Sequence, residues 1–168
     1  GLALCVSVNL KDLHEVINLA ETFPHLYASV GIHPDYENEA EPTVEKLVEL
    51  ANHPKVIAIG ETGLDYFRSE GDLEWQRDYF RRHIAAAKQA QKPLIIHSRE
   101  ARDDTLRLLK EEGAADVGGV MHCFTEDWEM AQAAMDMNFY ISFSGIVTFK
   151  SAIELQDVAR RMPLERML

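Results

Sequence analysis

Short apolar runs recur along the chain at residues 2–8, 26–32, 56–60, 93–97, 119–124 and 139–143. They are mostly continuous in apolar residues rather than alternating, as strands buried on both faces of a parallel sheet are. Between them, apolar residues return at helical spacing: Leu13, Val16, Ile17 and Ala20, then Val44, Leu47, Val48 and Ala51. The pattern predicts a long helix over 72–91, with Tyr79, Phe80, His83, Ile84 and Ala87 on one stripe. A further helix over 100–112 is predicted to stop at Gly113, which suits a C′ position. Thr125 is placed to cap a helix whose first turn carries Glu126, Asp127 and Glu129. Ser151-Ala-Ile-Glu154 has capping-box form and opens the last helix, with Pro163 beyond its end.

Strict strand-helix alternation predicts a parallel α/β fold, and the right-handed crossover rule leaves a doubly wound sheet or a (β/α)8 barrel. Six units are legible, whereas a full barrel takes about 250 residues. Residues 1–168 are therefore expected to form one partial barrel domain. The sequence opens at Gly1 inside a strand-like run and stops at Met167-Leu168 as another apolar run begins, so both ends are expected to be cut.

Composition narrows the function classes. A net charge of −11 argues against a broad basic surface gripping nucleic acid through many phosphates, so any such substrate is expected to be held locally. Cys5 and Cys123 lie inside apolar runs without C-x-x-C spacing, so neither a disulfide framework nor a zinc ribbon is indicated, and a reducing cytoplasm is the default expectation. No apolar stretch approaches a membrane span and no basic-then-apolar leader is present, so no membrane association is expected. Nothing calls for an obligate protein partner.

The seven histidines separate by their place in the rhythm. His25 and His53 precede strands, and His14 and His83 lie within helices; structural or solvent-facing roles are expected for these four. His33, His97 and His122 occupy strand carboxyl ends, as does Glu61 in Gly60-Glu61-Thr62-Gly63-Leu64-Asp65. Those ends converge on the catalytic face of a barrel, and two imidazoles with a carboxylate give three ligands and an open position for water. The competing reading is a set of strand-end residues that merely hydrogen-bond across the mouth. Asp65 is placed either to orient a ligand histidine or to cap a turn. Arg99 is placed either to pair with a phosphate or to form a surface salt bridge. Cys123 is expected to face the helices as a core residue, and Trp75 and Trp128 to pack.

At these residues the sequence resembles the TatD family of metal-dependent deoxyribonucleases, especially its YcfH-like branch. The resemblance is carried by Gly31-Ile-His33-Pro34, Gly60-Glu61-Thr-Gly-Leu-Asp65-Tyr66, Pro93-Leu-Ile-Ile-His97-Ser-Arg99, His122-Cys-Phe124 and Tyr140-Ile-Ser-Phe-Ser144-Gly145. It implies a TIM-type barrel of the amidohydrolase kind, two divalent metal ions (Mg2+, Mn2+ or Zn2+), and hydrolysis of phosphodiester bonds in DNA, single-stranded or 3′-ended. By position, Glu61 resembles the carboxylate shared by both metals, and His97 and His122 resemble ligands of the second. His33 resembles a histidine close to the substrate phosphate. The family's His-x-His pair at the end of the first strand and its Glu-Thr-Asp segment at the end of the eighth would lie before Gly1 and after Leu168. Two other functions fit the same residues: hydrolysis of another ester or amide, including aminoacyl-tRNA, and a catalytically incomplete protein with only a binding role.

Overall fold

The structure is a computed structural model that describes residues 1–36 and 41–168. Six strands, β1 (Ala3–Cys5), β2 (Leu26–Val30), β3 (Val56–Asp65), β4 (Leu94–Arg99), β5 (Gly119–Met121) and β6 (Phe139–Ile141), form one sheet. They pair in parallel, each beside its neighbour in sequence. That sequential order decides between the two predicted topologies, because a doubly wound sheet reverses its strand order at a switch point and a barrel does not. The fold is a partial TIM-type barrel. Beyond β6, Met167 forms a parallel bridge to Ile141, and the Leu168 N–H bonds the Ile141 carbonyl at 2.9 Å.

Helices α1 (Leu13–Thr22), α2 (Val44–Ala51), α3 (Glu74–Ala90), α4 (Arg102–Glu111), α5 (Trp128–Asp136) and α6 (Ile153–Arg161) connect or follow the strands. The main core lies between them and the sheet. Ala28, Val30, Ile59, Leu94, Ile96, Met121, Phe139 and Ile141 supply the sheet side, and Leu47, Phe80, Ile84, Leu108 and Leu109 the helix side, all buried. Alternation along each strand turns the next residue to the opposite face. Leu4 accordingly pairs beside Tyr27, and Ile95 beside Val120 and Tyr140. All five predicted stripe residues of α3 are buried. Gly113 holds φ +66 beyond α4, the left-handed turn predicted for it.

The elements depart from the predicted bounds in instructive places. β3 runs to Asp65 rather than stopping at Gly60. Its register with β4 shifts between Ile59 and Thr62, after which Gly63 pairs with His97 and Asp65 with Arg99. Gly63 makes this possible, since at φ +143 an added Cβ would lie 1.9 Å from the His97 carbonyl oxygen. Gly63 thus allows two strands to come together beneath the site. Thr125 does not cap α5; Asp127 does, accepting the Met130 N–H at 2.9 Å. The Ser151 capping box does not form either, because α6 begins at Ile153 behind Ala152, with no side-chain cap.

Candidate metal centre

Neighbouring strands fix the backbone of each site residue. The His33 N–H bonds the Val8 carbonyl at 2.8 Å, the Glu61 N–H bonds Ser7 at 2.8 Å, and the His122 N–H bonds Ile96 at 2.8 Å. His97 lies within β4, paired with Gly63. Four side chains spread over ninety residues of sequence are thereby gathered at the carboxyl ends of β2 to β5.

Glu61 is the centre of the cluster. Its Oε1 lies 2.9 Å from His122 Nδ1 and 3.5 Å from His97 Nδ1. The other ring nitrogen of His97, Nε2, lies 2.9 Å from Asp65 Oδ2. The His33 ring meets His97 edge-on with centroids 4.3 Å apart. One ligand atom each from His33, Glu61 and His97 lie within 4.8 Å of one another, a group able to hold a metal ion. His122 sits outside that tight trio and joins it through Glu61. Side-chain exposure rises from 1% at Asp65 and 9% at Glu61 to 19% at His97 and 32% at His122, so the carboxylates are deep and the imidazoles face the opening.

The charges follow from these contacts. Burial opposes ionisation of Glu61, but the bonds from His122 and His97 outweigh it and hold the carboxyl down at about 2. Burial likewise disfavours a His97 cation, and the bonds to Glu61 and Asp65 overcome it and raise the pKa. The Glu61 bond raises His122 as well. His33 moves the other way, lowered chiefly by burial and further by His97 beside it. Its Nδ1 accepts the Asp35 N–H at 3.2 Å, so in the neutral ring the proton sits on Nε2. The donor chemistry fits a divalent cation: a buried, ionised carboxylate beside imidazoles is the set that such ions take.

Asp65 fills both roles open to it from the sequence. Oδ1 accepts the N–H groups of Phe67 at 3.0 Å and Arg68 at 2.9 Å, closing a turn, while Oδ2 orients His97. Arg99 does not form the surface salt bridge, one of the two roles open to it from the sequence. Its guanidinium lies over the Phe67 ring, 3.8 Å from the centroid, with no carboxylate partner among the described residues. Cys123 is not core. β5 ends at Met121, so the alternation that would turn Cys123 toward the helices has already stopped. At φ +48 it is exposed, with Sγ 3.6 Å from His122 Nε2. His97, Ser98, Arg99, Cys123, Thr125 and Ile146 line a cavity of about 370 Å³.

Two residues of α3 support the site and carry no motif. Gln76, fully buried, accepts the Asp65 N–H at 3.0 Å and donates to the Pro34 carbonyl at 3.3 Å. His83 accepts the Ile32 N–H at 3.0 Å through Nε2, and its Nδ1 bonds the Tyr79 carbonyl at 2.7 Å. Together they tie the segments carrying His33 and Asp65 to one helix. A glutamine at a buried helical position is the only sequence signal for the first. His14, His25 and His53 lie outside the cluster, His53 bonded to Glu21 at 3.1 Å.

Residues 1–168 match the family described as TatD related DNase, and the chain belongs to it. It is 44% identical over 98% of its length to YcfH of Escherichia coli strain K12, described as an uncharacterized metal-dependent hydrolase, and covers 62% of that protein. It is 30% identical over 98% of its length to the 3'-5' ssDNA/RNA exonuclease TatD of Salmonella typhimurium strain LT2, covering 64% of it. The chain thus spans less than two thirds of the length of these relatives. Among solved structures, the TatD homologue YJJV of Escherichia coli K12 superposes with a TM-score of 0.92 at 29% identity, over all of this chain and 66% of that one. No helix among the described residues is long and apolar enough to cross a membrane.

Proposed function

We propose that the full-length protein is a divalent-metal-dependent phosphodiesterase that hydrolyses DNA, acting on single-stranded or 3′-ended strands, and that this chain carries much of its catalytic centre. The observation that carries this reading is the Glu61 carboxylate shared between His97 and His122, at the carboxyl ends of parallel strands and with His33 alongside. The relative named as an ssDNA/RNA exonuclease supports the choice of substrate.

In this reading the full-length protein takes two divalent ions, Mg2+, Mn2+ or Zn2+, of which Glu61, His97 and His122 would hold one and Glu61 would be shared with the other. A divalent ion held there supplies a water nucleophile at neutral pH and stabilises charge on the phosphoryl oxygens. The chain's own residues do the rest. Asp65 occupies His97 Nε2 and leaves Nδ1 directed at Glu61, fixing the ring as a ligand. His33, neutral and protonated at Nε2, donates to a phosphate oxygen and so serves both binding and catalysis. Arg99, two residues beyond His97 on the same strand, takes a further phosphate. Such local contacts are what an acidic protein needs to hold a polyanion. Asp65 is too deeply buried to touch substrate and acts through His97. Two free cysteines suit the reducing cytoplasm as its compartment.

The test is hydrolysis of a 5′-labelled single-stranded oligonucleotide by the full-length protein, beside a panel of small esters and an aminoacyl-tRNA. Oligonucleotide cleavage is expected to stop with EDTA, return with Mn2+, and vanish in Glu61→Ala. Cleavage retained in Glu61→Ala with unchanged metal content contradicts the role given to Glu61. Turnover of the esters alone replaces the substrate class, and no turnover with any metal leaves a binding protein.

A further inference from the structure

The turn after β3 places an aromatic ring that no site role yet uses against Arg99, two residues beyond His97 on β4. Phe67 is 56% exposed, although it follows Asp65 by only two residues. Its backbone N–H is bonded to Asp65 Oδ1, so the carboxylate that orients His97 also holds the turn that carries the ring. One ring face is covered by the Arg99 guanidinium. Arg68, Arg77, Arg81, Arg82, Arg102, Arg107 and Arg161 pair with carboxylates, whereas Arg99, like Arg160 and Arg166, has no carboxylate partner among the described residues, and Arg99 alone of these three lies on the strand that carries His97. Arg99 also lines the cavity that His97 lines, so whatever rests on this stack lies next to the proposed hydrolytic centre.

A single exposed apolar residue needs no explanation by itself. A ring on a turn tied to Asp65 and backed by a carboxylate-free cation is a different object. With a net charge of −11, long-range attraction cannot hold a polyanion, and affinity must come from short-range contacts. Stacking supplies them, because every nucleobase has a π face and an aromatic side chain binds it without regard to sequence.

We propose that Phe67 and Arg99 form a nucleotide subsite in which an unpaired base stacks on the ring and the guanidinium takes the adjoining phosphate. The subsite rests on the nucleic-acid reading of the centre and deepens it. Substrate is selected as a single strand, since a base in a duplex is stacked on its neighbours and cannot reach the ring. Recognition is indifferent to base identity and sensitive to base presence.

Fluorescence anisotropy of the full-length protein in EDTA, with a labelled oligo-dT and an abasic strand of equal length, tests this without relying on turnover. Phe67→Ala is expected to weaken oligo-dT binding by roughly 10- to 100-fold. Phe67→Tyr is expected to restore it, and the abasic strand to bind wild type and Phe67→Ala alike. Arg99→Gln is expected to lower the salt dependence of log K by about 0.7, one phosphate on a single strand. Equal weakening on both strands, or no weakening on either, overturns the subsite. Failure of wild type to bind oligo-dT overturns it as well. Cleavage by a Phe67→Ala protein that binds like wild type removes the subsite and keeps the nuclease; binding as expected without cleavage by wild type keeps the subsite and removes the nuclease.

Discussion

Asp65 Oδ2 lies 2.9 Å from His97 Nε2, and its Oδ1 closes the turn that follows, so one buried carboxylate sets both a ring and a loop. Such partners of ligand histidines are worth about 10- to 100-fold in metal affinity or activity. Asp65→Ala is therefore expected to weaken Mn2+ binding to the full-length protein by that factor, read by isothermal titration calorimetry. Unaltered binding in a folded Asp65→Ala protein would show that His97 needs no such support.

His83 makes stability depend on pH. It is buried completely, and burial pushes its pKa from 6.5 down to about 4. The unfolded chain binds the proton below pH 6.5 and the folded chain only below about 4, so stability falls as pH drops through that window. The loss amounts to about 3 kcal/mol by pH 4. Urea midpoints measured from pH 7 to pH 4 are expected to fall more steeply for wild type than for His83→Gln. Parallel curves would mean that His83 is not held neutral by the fold.

The fold was legible because buried parallel strands leave continuous apolar runs, and their shared direction gathers His33, Glu61, His97 and His122 at one end. What was not legible lies in particular residues. The apolar run ends at Gly60, yet the strand continues through Gly60 and Gly63 because their missing side chains let β4 approach. Cys123 was placed by an alternation that ends at Met121. Gln76 and His83 bond backbone groups 11 and 51 residues away, and no local pattern announces such a contact. Arg99 meets an aromatic ring rather than a carboxylate, on the turn that Asp65 closes.

Gly63→Ala should uncouple the site from the sheet. The added carbon would fall on the His97 carbonyl, and the clash is with backbone that cannot rotate away. Overpacking of this kind costs about 1–3 kcal/mol or more. A lower Tm together with lost metal affinity is expected by differential scanning fluorimetry with and without Mn2+. A variant with wild-type Tm and affinity would show that β3 and β4 need not meet so closely at this point.

In the proposed centre Glu61 and His97 share one cation, and anomalous diffraction from crystals of the full-length protein grown with Mn2+ tests that most directly. The predicted result is an anomalous peak in contact with the Glu61 carboxylate and His97, with Asp65 still bonded to the far nitrogen of the ring. A peak elsewhere, with Glu61 bonded to His122 as it is here, would contradict it.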